Sequence, residues 1–273
     1  MPPKDISEII DLDRYPFHEP ESQRLQSLMA RGKSALEREA LFSLEGFLRP
    51  EVIAPMAKEL GALVPKATRY EARRVAYLKP EPAFGPDHPH NQEHPCSYHQ
   101  VLNYQIANDS PLRRIYYWQP LTDFLGKLCG YDSFYRSDCP HLALTAKVAG
   151  HGDTDGWHYD TNDVVFSLLL QAPEGGGAFE YAPHVRSETD ERYDAVEALL
   201  ADPDRIAVRP PMEVGNLTVF KGDLSLHRVT PVEGARRRIV ALFSYDREPG
   251  MTFAQSYIEE LQSRLPDQGV KAG

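Results

Sequence analysis

The second half of the chain is written in short apolar runs separated by turn residues, a pattern typical of short β-strands. Residues 141–150 alternate Leu142, Leu144, Ala146 and Val148 with polar or smaller neighbours, which predicts a half-buried strand. Further strands are predicted at 66–79, 156–170, 178–181, 206–208, 217–221, 225–229 and 238–245. This density of strands predicts a mainly β fold with flanking helices around a double-stranded β-helix (jelly-roll, cupin-like) core.

Helical spacing dominates the first part of the chain. Apolar residues three and four positions apart predict helices within 22–40 and from Pro50 onward, where proline suits the first helical position. Residues 1–20 are polar and proline-rich, and we expect a loosely held arm there. Other helices are predicted at 110–130, 187–200 and 254–265. We therefore expect one domain: a helical support (1–65), a jelly-roll core (66–250) with a helical insertion (187–200), and a C-terminal helix (251–273).

The segment from Pro80 to Pro95 is predicted to be a loop, because its five prolines each fix φ and lack a backbone donor. We interpret it as a lid over an active site, since long loops often serve there. Its three histidines, His88, His90 and His94, also allow a second metal site. Solvent-exposed loop histidines are the interpretation that we favour over that site.

Composition narrows the setting. The chain has 273 residues and a formal net charge of −10, which argues against a nucleic-acid or anionic-membrane surface. No apolar run approaches the ~18 residues that would span a bilayer, and no secretory signal is recognised. Cys96, Cys129 and Cys139 lack the spacing of a metal site or disulfide framework, so we expect free thiols and a cytoplasmic location.

Candidate chemistry begins with a histidine and a carboxylate, His158 and Asp160, in the stretch GWHYD. Side chains two residues apart in a strand point to the same face, so both are able to reach one metal ion. Trp157 and Tyr159 then point away, into packing. His227 lies in a later strand-like segment, and two histidines with one carboxylate form the facial triad of non-haem Fe(II) enzymes.

An arginine, Arg238, follows His227 after a short turn and offers a charge-assisted fork for a distal carboxylate. Arg236 shares its face under strand alternation, whereas Arg237 points the other way. Thr145, on the strand at 141–150, is a candidate hydroxyl beside that fork, with an ordinary strand threonine as the alternative.

Taken together, the motifs GWHYD, LHRVTPVEG and RRRIVALFSYD resemble those of the Fe(II)/2-oxoglutarate-dependent oxygenases, over residues 140–247. The resemblance implies Fe(II) on His158, Asp160 and His227, 2-oxoglutarate as cosubstrate with its 5-carboxylate on Arg238, and O2 as oxidant. It implies hydroxylation of a C–H bond with release of succinate and CO2. Radical halogenases of this superfamily carry a small residue in place of the carboxylate, so Asp160 favours hydroxylation over halogenation.

The substrate is the least determined part. The motifs look closest to bacterial oxygenases of small molecules, including free amino acids. Asp155, or its neighbours Asp153 and Asp163, is a candidate for receiving an amine, and Arg74 or Arg73 for receiving a carboxylate. Turn aspartates are the competing interpretation. Two further functions stay open: a prolyl-type protein hydroxylase and a non-catalytic jelly-roll binding protein. The sequence gives no oligomeric state.

Overall fold

A large curled antiparallel sheet carries the fold of this protein, in a computed structural model that describes residues 5–266. In chain order its strands and short bridges are β1 (Leu41–Leu44), β2 (Thr68–Val75), β3 (Glu93–Val101), β4 (Tyr135–Arg136), β5 (Leu144–Ala149), β6 (Asp155–His158), β7 (Val165–Gln171), β8 (Gly175–Gly176), β9 (Phe179–Ala182), β10 (Leu217–Phe220), β11 (Leu226–Val229), β12 (Val232–Glu233), β13 (Arg238–Phe243) and β14 (Tyr245–Asp246).

The described chain has seven α-helices, four of them before β4 and three after β9. They are α1 (Gln23–Glu39), α2 (Pro50–Leu63), α3 (Pro111–Tyr117), α4 (Gln119–Cys129), α5 (Tyr193–Ala201), α6 (Pro203–Ile206) and α7 (Gln255–Ser263). Local chemistry sets several ends: the Ser22 side chain caps α1 by accepting from the Leu25 N–H, Pro50 and Pro111 open α2 and α3, and Gly130 ends α4 with φ 85°.

Strand β3 is where the sheet divides into two layers. The strand order is β1-β10-β7-β13-β5-β3-β6-β11-β9, with β2 on the other edge of β3. One edge of β3 pairs with β5 at His99–Val101 and with β6 at Cys96, so two strands leave it in succession. The short strands β6, β11 and β9 therefore fold back as a second layer. This arrangement confirms the predicted mainly β, jelly-roll core.

Side-chain alternation gives the larger layer an outer and an inner face. Leu144, Ala146 and Val148 of β5 pack with Ile239 and Phe243 of β13 in the main core. Buried residues of α1 to α4 cover the same face, which is why those helices bury a leucine-rich stripe. The alternate positions of both strands, Lys147 and Arg238 among them, therefore face the space between the two layers.

Several expectations are corrected by the structure. Of the predicted N-terminal arm, residues 1–4 lie outside the described part of the chain, and residues 5–20 are not loosely held, because Ile9, Ile10 and Phe17 are buried in the main core. Residues 206–208 form no strand: α6 ends at Ile206 and Val208 makes an isolated bridge to Tyr181. The predicted strand 141–150 begins only at Leu144 and is buried on both faces, because helices cover one face and the second layer of the sheet lies over the other.

Boundaries shift elsewhere as well. The segment 156–170 holds two strands, β6 and β7, with the turn that carries Asp160 between them. The helix expected at 187–200 begins only at Tyr193. The last helix was predicted within 251–273, of which residues 267–273 lie outside the described part of the chain; Ile258 and Leu261 of α7 are buried as expected.

The loop between β2 and β3 is tied to the segment around α5 by aromatic rings. Tyr77 stacks on His90 with centroids 4.1 Å apart, and Phe84 stacks on His88 at 3.8 Å. Tyr193 of α5 meets His88 edge-on at 4.6 Å, and its hydroxyl lies 3.2 Å from His90 Nδ1. We call these five residues the ring cluster; it joins two segments that are distant in the chain.

Candidate metal centre

The two histidines of the predicted triad are direct cross-strand neighbours. His158, the last residue of β6, pairs with His227 of β11, and their rings lie 4.1 Å apart. Asp160 follows two residues later, in the turn after β6. Its Oδ1 lies 3.8 Å from His158 Nε2 and its Oδ2 3.4 Å from His227 Nε2. The strand pairing and the turn together bring all three side chains to one point.

Backbone carbonyls fix which ring nitrogens face the carboxylate. His158 Nδ1 lies 2.7 Å from the Gly156 oxygen, and His227 Nδ1 lies 2.9 Å from the Ser225 oxygen. A carbonyl oxygen only accepts, so each Nδ1 carries the proton and each Nε2 keeps its lone pair. Both Nε2 atoms then point toward Asp160, in the second-sphere arrangement that holds histidine ligands of metals.

Electrostatics keeps this group in the protonation state that a metal requires. Burial lowers the pKa of His158 well below its usual range, and the neighbouring His227 acts in the same direction. Burial acts to raise the pKa of Asp160, but His227 and His158 outweigh it and lower that pKa to about 2. At neutral pH the site therefore offers a neutral imidazole at position 158 and a charged carboxylate.

The ligand atoms of His158, Asp160 and His227 all lie within 4.8 Å of one another. Among residues 5–266 no other group of three or more histidine, cysteine, aspartate or glutamate side chains is arranged in this way. The alternative of a second metal site at His88, His90 and His94 thus has no support in the described chain. Two of those histidines are instead stacked within the ring cluster.

Aromatic side chains form an apolar wall beside His227. The Phe220 ring lies 4.9 Å from the imidazole and the Phe179 ring 5.7 Å from it, and the two rings meet edge to face. Trp157 and Tyr159, the residues on either side of His158, are each 4% exposed and pack in a separate hydrophobic cluster, as predicted. The sequence did not single out Phe179 or Phe220, since nothing local distinguishes them from core residues.

Arg238 is buried, and its side chain has no partner within the described chain. The residue is 8% exposed, and its guanidinium makes no hydrogen bond or ion pair across residues 5–266. Burial lowers the pKa of Arg238 to about 10, against the field of Asp155, so the guanidinium stays charged at neutral pH. The rival Arg236 and Arg237 are exposed. An uncompensated buried cation is costly, and the described residues supply no anion in contact with Arg238.

Thr145 lies away from that guanidinium along the sheet. Arg238 pairs with Ala149, whereas Thr145 pairs with Leu242. Four residues of strand separate Ala149 from Thr145, or ~13 Å at the usual rise. The register therefore does not bring the threonine hydroxyl beside the fork.

A second carboxylate, Asp155, is already fully engaged. Its Oδ2 lies 2.6 Å from Lys147 Nζ, and its Oδ1 lies 2.5 Å from Arg74 and accepts from Cys96 Sγ at 3.1 Å. Burial opposes ionisation, but Lys147, His158 and Arg74 hold the pKa of Asp155 well below its usual range. The structure thus brings together the two candidate substrate residues, Asp155 and Arg74, but pairs them with each other.

Lys147 was missed from the sequence, although a lysine in an apolar strand is itself a signal. Its ammonium also lies 4.5 Å from the centre of the Tyr98 ring. The remaining aspartates have other partners: Asp153 binds Arg69 at 2.8 Å and the Gly150 N–H at 2.8 Å, and Asp163 binds Arg247 at 2.8 Å. Arg73 is exposed and pairs with Glu93 at 3.4 Å.

Several solved structures that are similar to this chain are described as 2-oxoglutarate oxygenases. The chain is similar to the carbocyclase SnoK from nogalamycin biosynthesis, described as non-heme α-ketoglutarate dependent (11% identity, 87% of this chain, 92% of that chain, TM-score 0.55). It is similar to EctD from S. alaskensis, solved with 2-oxoglutarate and 5-hydroxyectoine (18% identity, 80% and 75%, TM-score 0.51). A 2OG-Fe(II) oxygenase from Burkholderia pseudomallei matches with TM-score 0.50 (14% identity, 81% and 92%).

At such identities these likenesses show the fold, which is that of the Fe(II)/2-oxoglutarate oxygenases, as the sequence motifs predicted. The family model of HalD, Halogenase D, matches residues 25–261, so the chain belongs to the Halogenase D family. No significant match was found among curated proteins. No helix within residues 5–266 is long and apolar enough to cross a membrane.

Proposed function

We propose that this protein is an Fe(II)- and 2-oxoglutarate-dependent oxygenase that hydroxylates an unactivated C–H bond of a small molecule, with release of succinate and CO2. The observation that carries the proposal is the pairing of two sites. His158, Asp160 and His227 present a neutral-histidine and carboxylate donor set, and Arg238 presents a buried cation without a partner. One site needs a divalent metal and the other needs an anion.

The donor chemistry fits Fe(II). Two imidazole nitrogens and one carboxylate oxygen suit this ion and leave positions for other ligands. When bound, Fe(II) and 2-oxoglutarate supply O2 activation coupled to oxidative decarboxylation. The chain supplies the rest: Gly156 and Ser225 carbonyls orient the histidines, and Arg238 takes the 5-carboxylate of 2-oxoglutarate. Phe179 and Phe220 keep water from one side of the metal centre.

Hydroxylation is favoured over halogenation by Asp160. The family match is to halogenases, so chlorination is a specific second candidate. Halogenation on this scaffold needs an open position at the metal where the carboxylate stands. Here the Asp160 oxygens lie 3.8 and 3.4 Å from the two histidine Nε2 atoms, so Asp160 would hold the metal together with them. SnoK, which has a similar fold, is described as a carbocyclase, so ring closure is a further outcome to be measured.

We propose an amino acid or a derivative as the substrate, bound by its carboxylate. Three cations, Arg74, Lys147 and Arg238, share this part of the protein with two carboxylates, Asp155 and Asp160. Arg74 Nε is buried without a hydrogen-bond partner, so that guanidinium has a donor to spare. Asp155 holds Lys147 and Arg74, which suits it to orienting them better than to receiving a substrate amine.

We also propose that residues 80–95 act as a lid. Tyr77, at the base of this loop, packs against Tyr159, the residue before Asp160, with ring centres 5.1 Å apart. The ring cluster connects this loop to α5 through the contact between His88 and Tyr193. A cytoplasmic location is proposed on the three unpaired cysteines.

The test is an anaerobic titration of apoprotein with Fe(II) and 2-oxoglutarate, followed by the weak visible band of the iron chelate. We expect the band in wild type and in Arg237→Ala, and its loss or weakening in Arg238→Ala. Screening amino acids with O2 and chloride present, by succinate release and mass spectrometry, then separates an added oxygen from an added chlorine. A chlorinated product from wild type would contradict the hydroxylase proposal.

Other results would point to the remaining functions. Absence of Fe(II) binding would favour the non-catalytic binding protein. A band without turnover of any amino acid, but with turnover of a proline-containing peptide, would favour the prolyl-type hydroxylase. For the carboxylate subsite, Arg74→Gln is compared with Arg73→Gln, which removes an exposed neighbour. We expect only Arg74→Gln to raise the substrate KM.

A further inference from the structure

Gly222, in the connection between β10 and β11, lies directly against the carboxylate of Asp160. A Cβ atom built on Gly222 would overlap Asp160 Oδ2, and would lie 2.7 Å from its Cγ and 3.0 Å from its Cβ. Ordinary side chains do not approach so closely. The backbone of Gly222 is not in the left-handed region, so its conformation does not demand glycine. Space for the Asp160 side chain is what requires glycine at this position.

The same residue also holds the backbone of Asp160. The Asp160 N–H donates to the Gly222 carbonyl oxygen at 3.0 Å. Asp160 needs this contact, because β6 ends at His158 and the strand ladder no longer fixes the chain beyond it. Gly222 thus positions the Asp160 backbone through a hydrogen bond. Because Gly222 has no side chain, it also leaves room for the Asp160 carboxylate to point toward the histidines.

The space beside Gly222 determines whether the side chain at position 160 is able to point toward the two histidines. With hydrogen at position 222, the Asp160 carboxylate lies between the two histidine Nε2 atoms. With a methyl group there, the carboxylate must leave or the connection between β10 and β11 must move. Core packing makes that second response costly, because Phe220, just before it, is 4% exposed between Phe179 and Tyr181.

We propose that Gly222 is a positioning residue for the third metal ligand, and that residues 160 and 222 work as one steric unit. A carboxylate at position 160 requires glycine at 222, whereas a small residue at 160 tolerates a side chain at 222. The inference rests on the proposed metal centre and deepens it. It adds a residue outside the motif whose size decides whether Asp160 is held as a ligand.

The experiment is a double-mutant cycle of Gly222→Ala and Asp160→Gly on the full chain. Thermal melting of the apoprotein measures the steric coupling, and anaerobic Co(II) titration followed by absorbance measures the ligand. We expect Gly222→Ala to lower Tm clearly in the Asp160 background and little in the Asp160→Gly background. We expect it to weaken Co(II) binding about 10- to 100-fold, the range for residues that orient ligands.

Gly85→Ala is the matched control, because an added Cβ there meets nothing within 4 Å and its φ is not positive. It should leave Tm and Co(II) affinity unchanged. Failure of Gly222→Ala alone to fold, with the double variant folded, is the expected coupling in its extreme form. Equal losses of Tm in both backgrounds, or unfolding of both, would overturn the proposal.

Different results would refute the role of Gly222 and the metal centre itself. Co(II) binding within twofold of wild type in Gly222→Ala, together with loss of binding in Asp160→Gly, would refute the role of Gly222 while keeping the metal centre. No Co(II) binding by wild type would refute the proposed function, and the Tm cycle of the apoprotein would still decide the steric coupling.

Discussion

Asp155 and Asp160 flank His158 and both are ionised, yet the structure treats them in opposite ways. Asp155 has two cations and a thiol on its oxygens. Asp160 has no arginine or lysine within salt-bridge distance in the described chain, and faces the Nε2 atoms of two histidines. The first carboxylate has its counter-charges supplied by the fold. Asp160 has no such counter-charges. It faces the unprotonated Nε2 atoms of two histidines, so a cation bound between them would supply the missing positive charge.

The same contrast separates two arginines. Arg74 is paired with Asp155 at 2.5 Å, whereas Arg238 is buried and unpaired. Residue type and burial alone therefore do not identify a ligand-binding group. The informative property is charge that the folded chain leaves without compensation. By this criterion we propose Asp160 and Arg238 as ligand-binding groups and Asp155 as the residue that orients Lys147 and Arg74.

The largest effect should come from removing the carboxylate that faces the histidines. We expect Asp160→Ala to weaken Fe(II) binding by more than about 100-fold, beyond the loss typical of ligand-orienting residues. The stability of the apoprotein should change little, because no cation is left unpaired. Anaerobic Fe(II) titration and thermal melting measure the two quantities. Equal losses of Fe(II) affinity in Asp160→Ala and Asp155→Asn would contradict the different roles assigned to the two carboxylates.

Arg238→Ala should raise the KM for 2-oxoglutarate about 10- to 100-fold, because a charge-assisted hydrogen bond contributes about 1.5–3 kcal/mol. The apoprotein should not be destabilised, since the change removes an unpaired buried charge. Succinate formation at varied 2-oxoglutarate gives the KM, and Arg237→Ala is the control because Arg237 is exposed. An unchanged KM would mean that the anion on Arg238 is something else.

Asp155→Asn should act on stability. It leaves Lys147 and Arg74 without their carboxylate, which should cost about 3 kcal/mol of the free energy of unfolding, the lower end for broken buried pairs. Urea unfolding of the apoprotein measures this loss. Asp163→Asn breaks a half-exposed ion pair with Arg247 and should cost less than about 1 kcal/mol. Similar losses in both variants would show that the Asp155 cluster is no more than a surface network.

The smallest effect is the pH dependence of that stability. The pKa of Asp155 is depressed in the folded protein, so its contribution is complete above the unfolded value of about 4 and is lost as pH falls below it. The free energy of unfolding of wild type should therefore fall more steeply below about pH 4 than that of Asp155→Asn. The same decrease in the free energy of unfolding with falling pH in wild type and Asp155→Asn, measured by urea unfolding, would contradict this assignment.

The metal triad was predictable because its geometry is nearly local. His158 and Asp160 are two residues apart, and a third ligand on another strand was enough to suggest the class. The packing of Trp157 and Tyr159 followed from the same alternation and is confirmed. The jelly-roll core was predictable for a similar reason, since each short strand carries its own alternation and its own turn.

What escaped prediction depends on pairing between distant segments. Strand β3 was missed because its inner positions are polar or aromatic, Cys96, Tyr98 and Gln100 among them, and because a proline lies within it. The Thr145 register and the partners of Asp155 are set by which strands become neighbours, which no local pattern encodes. Gly222 escaped because the need for glycine there comes from a side chain some sixty positions earlier in the chain.

The ring cluster carries a consequence for engineering this scaffold. Loop grafting treats a surface segment as a module that is exchanged at its two ends. Here two rings of the segment between β2 and β3 pack edge-on against Tyr193, so the shape of the segment depends partly on another stretch of sequence. A chimera that receives only the loop of a relative would lack the matching ring contacts from the stretch around Tyr193. Libraries aimed at new substrates should therefore recombine residues 77–92 and the stretch around Tyr193 as one linked cassette.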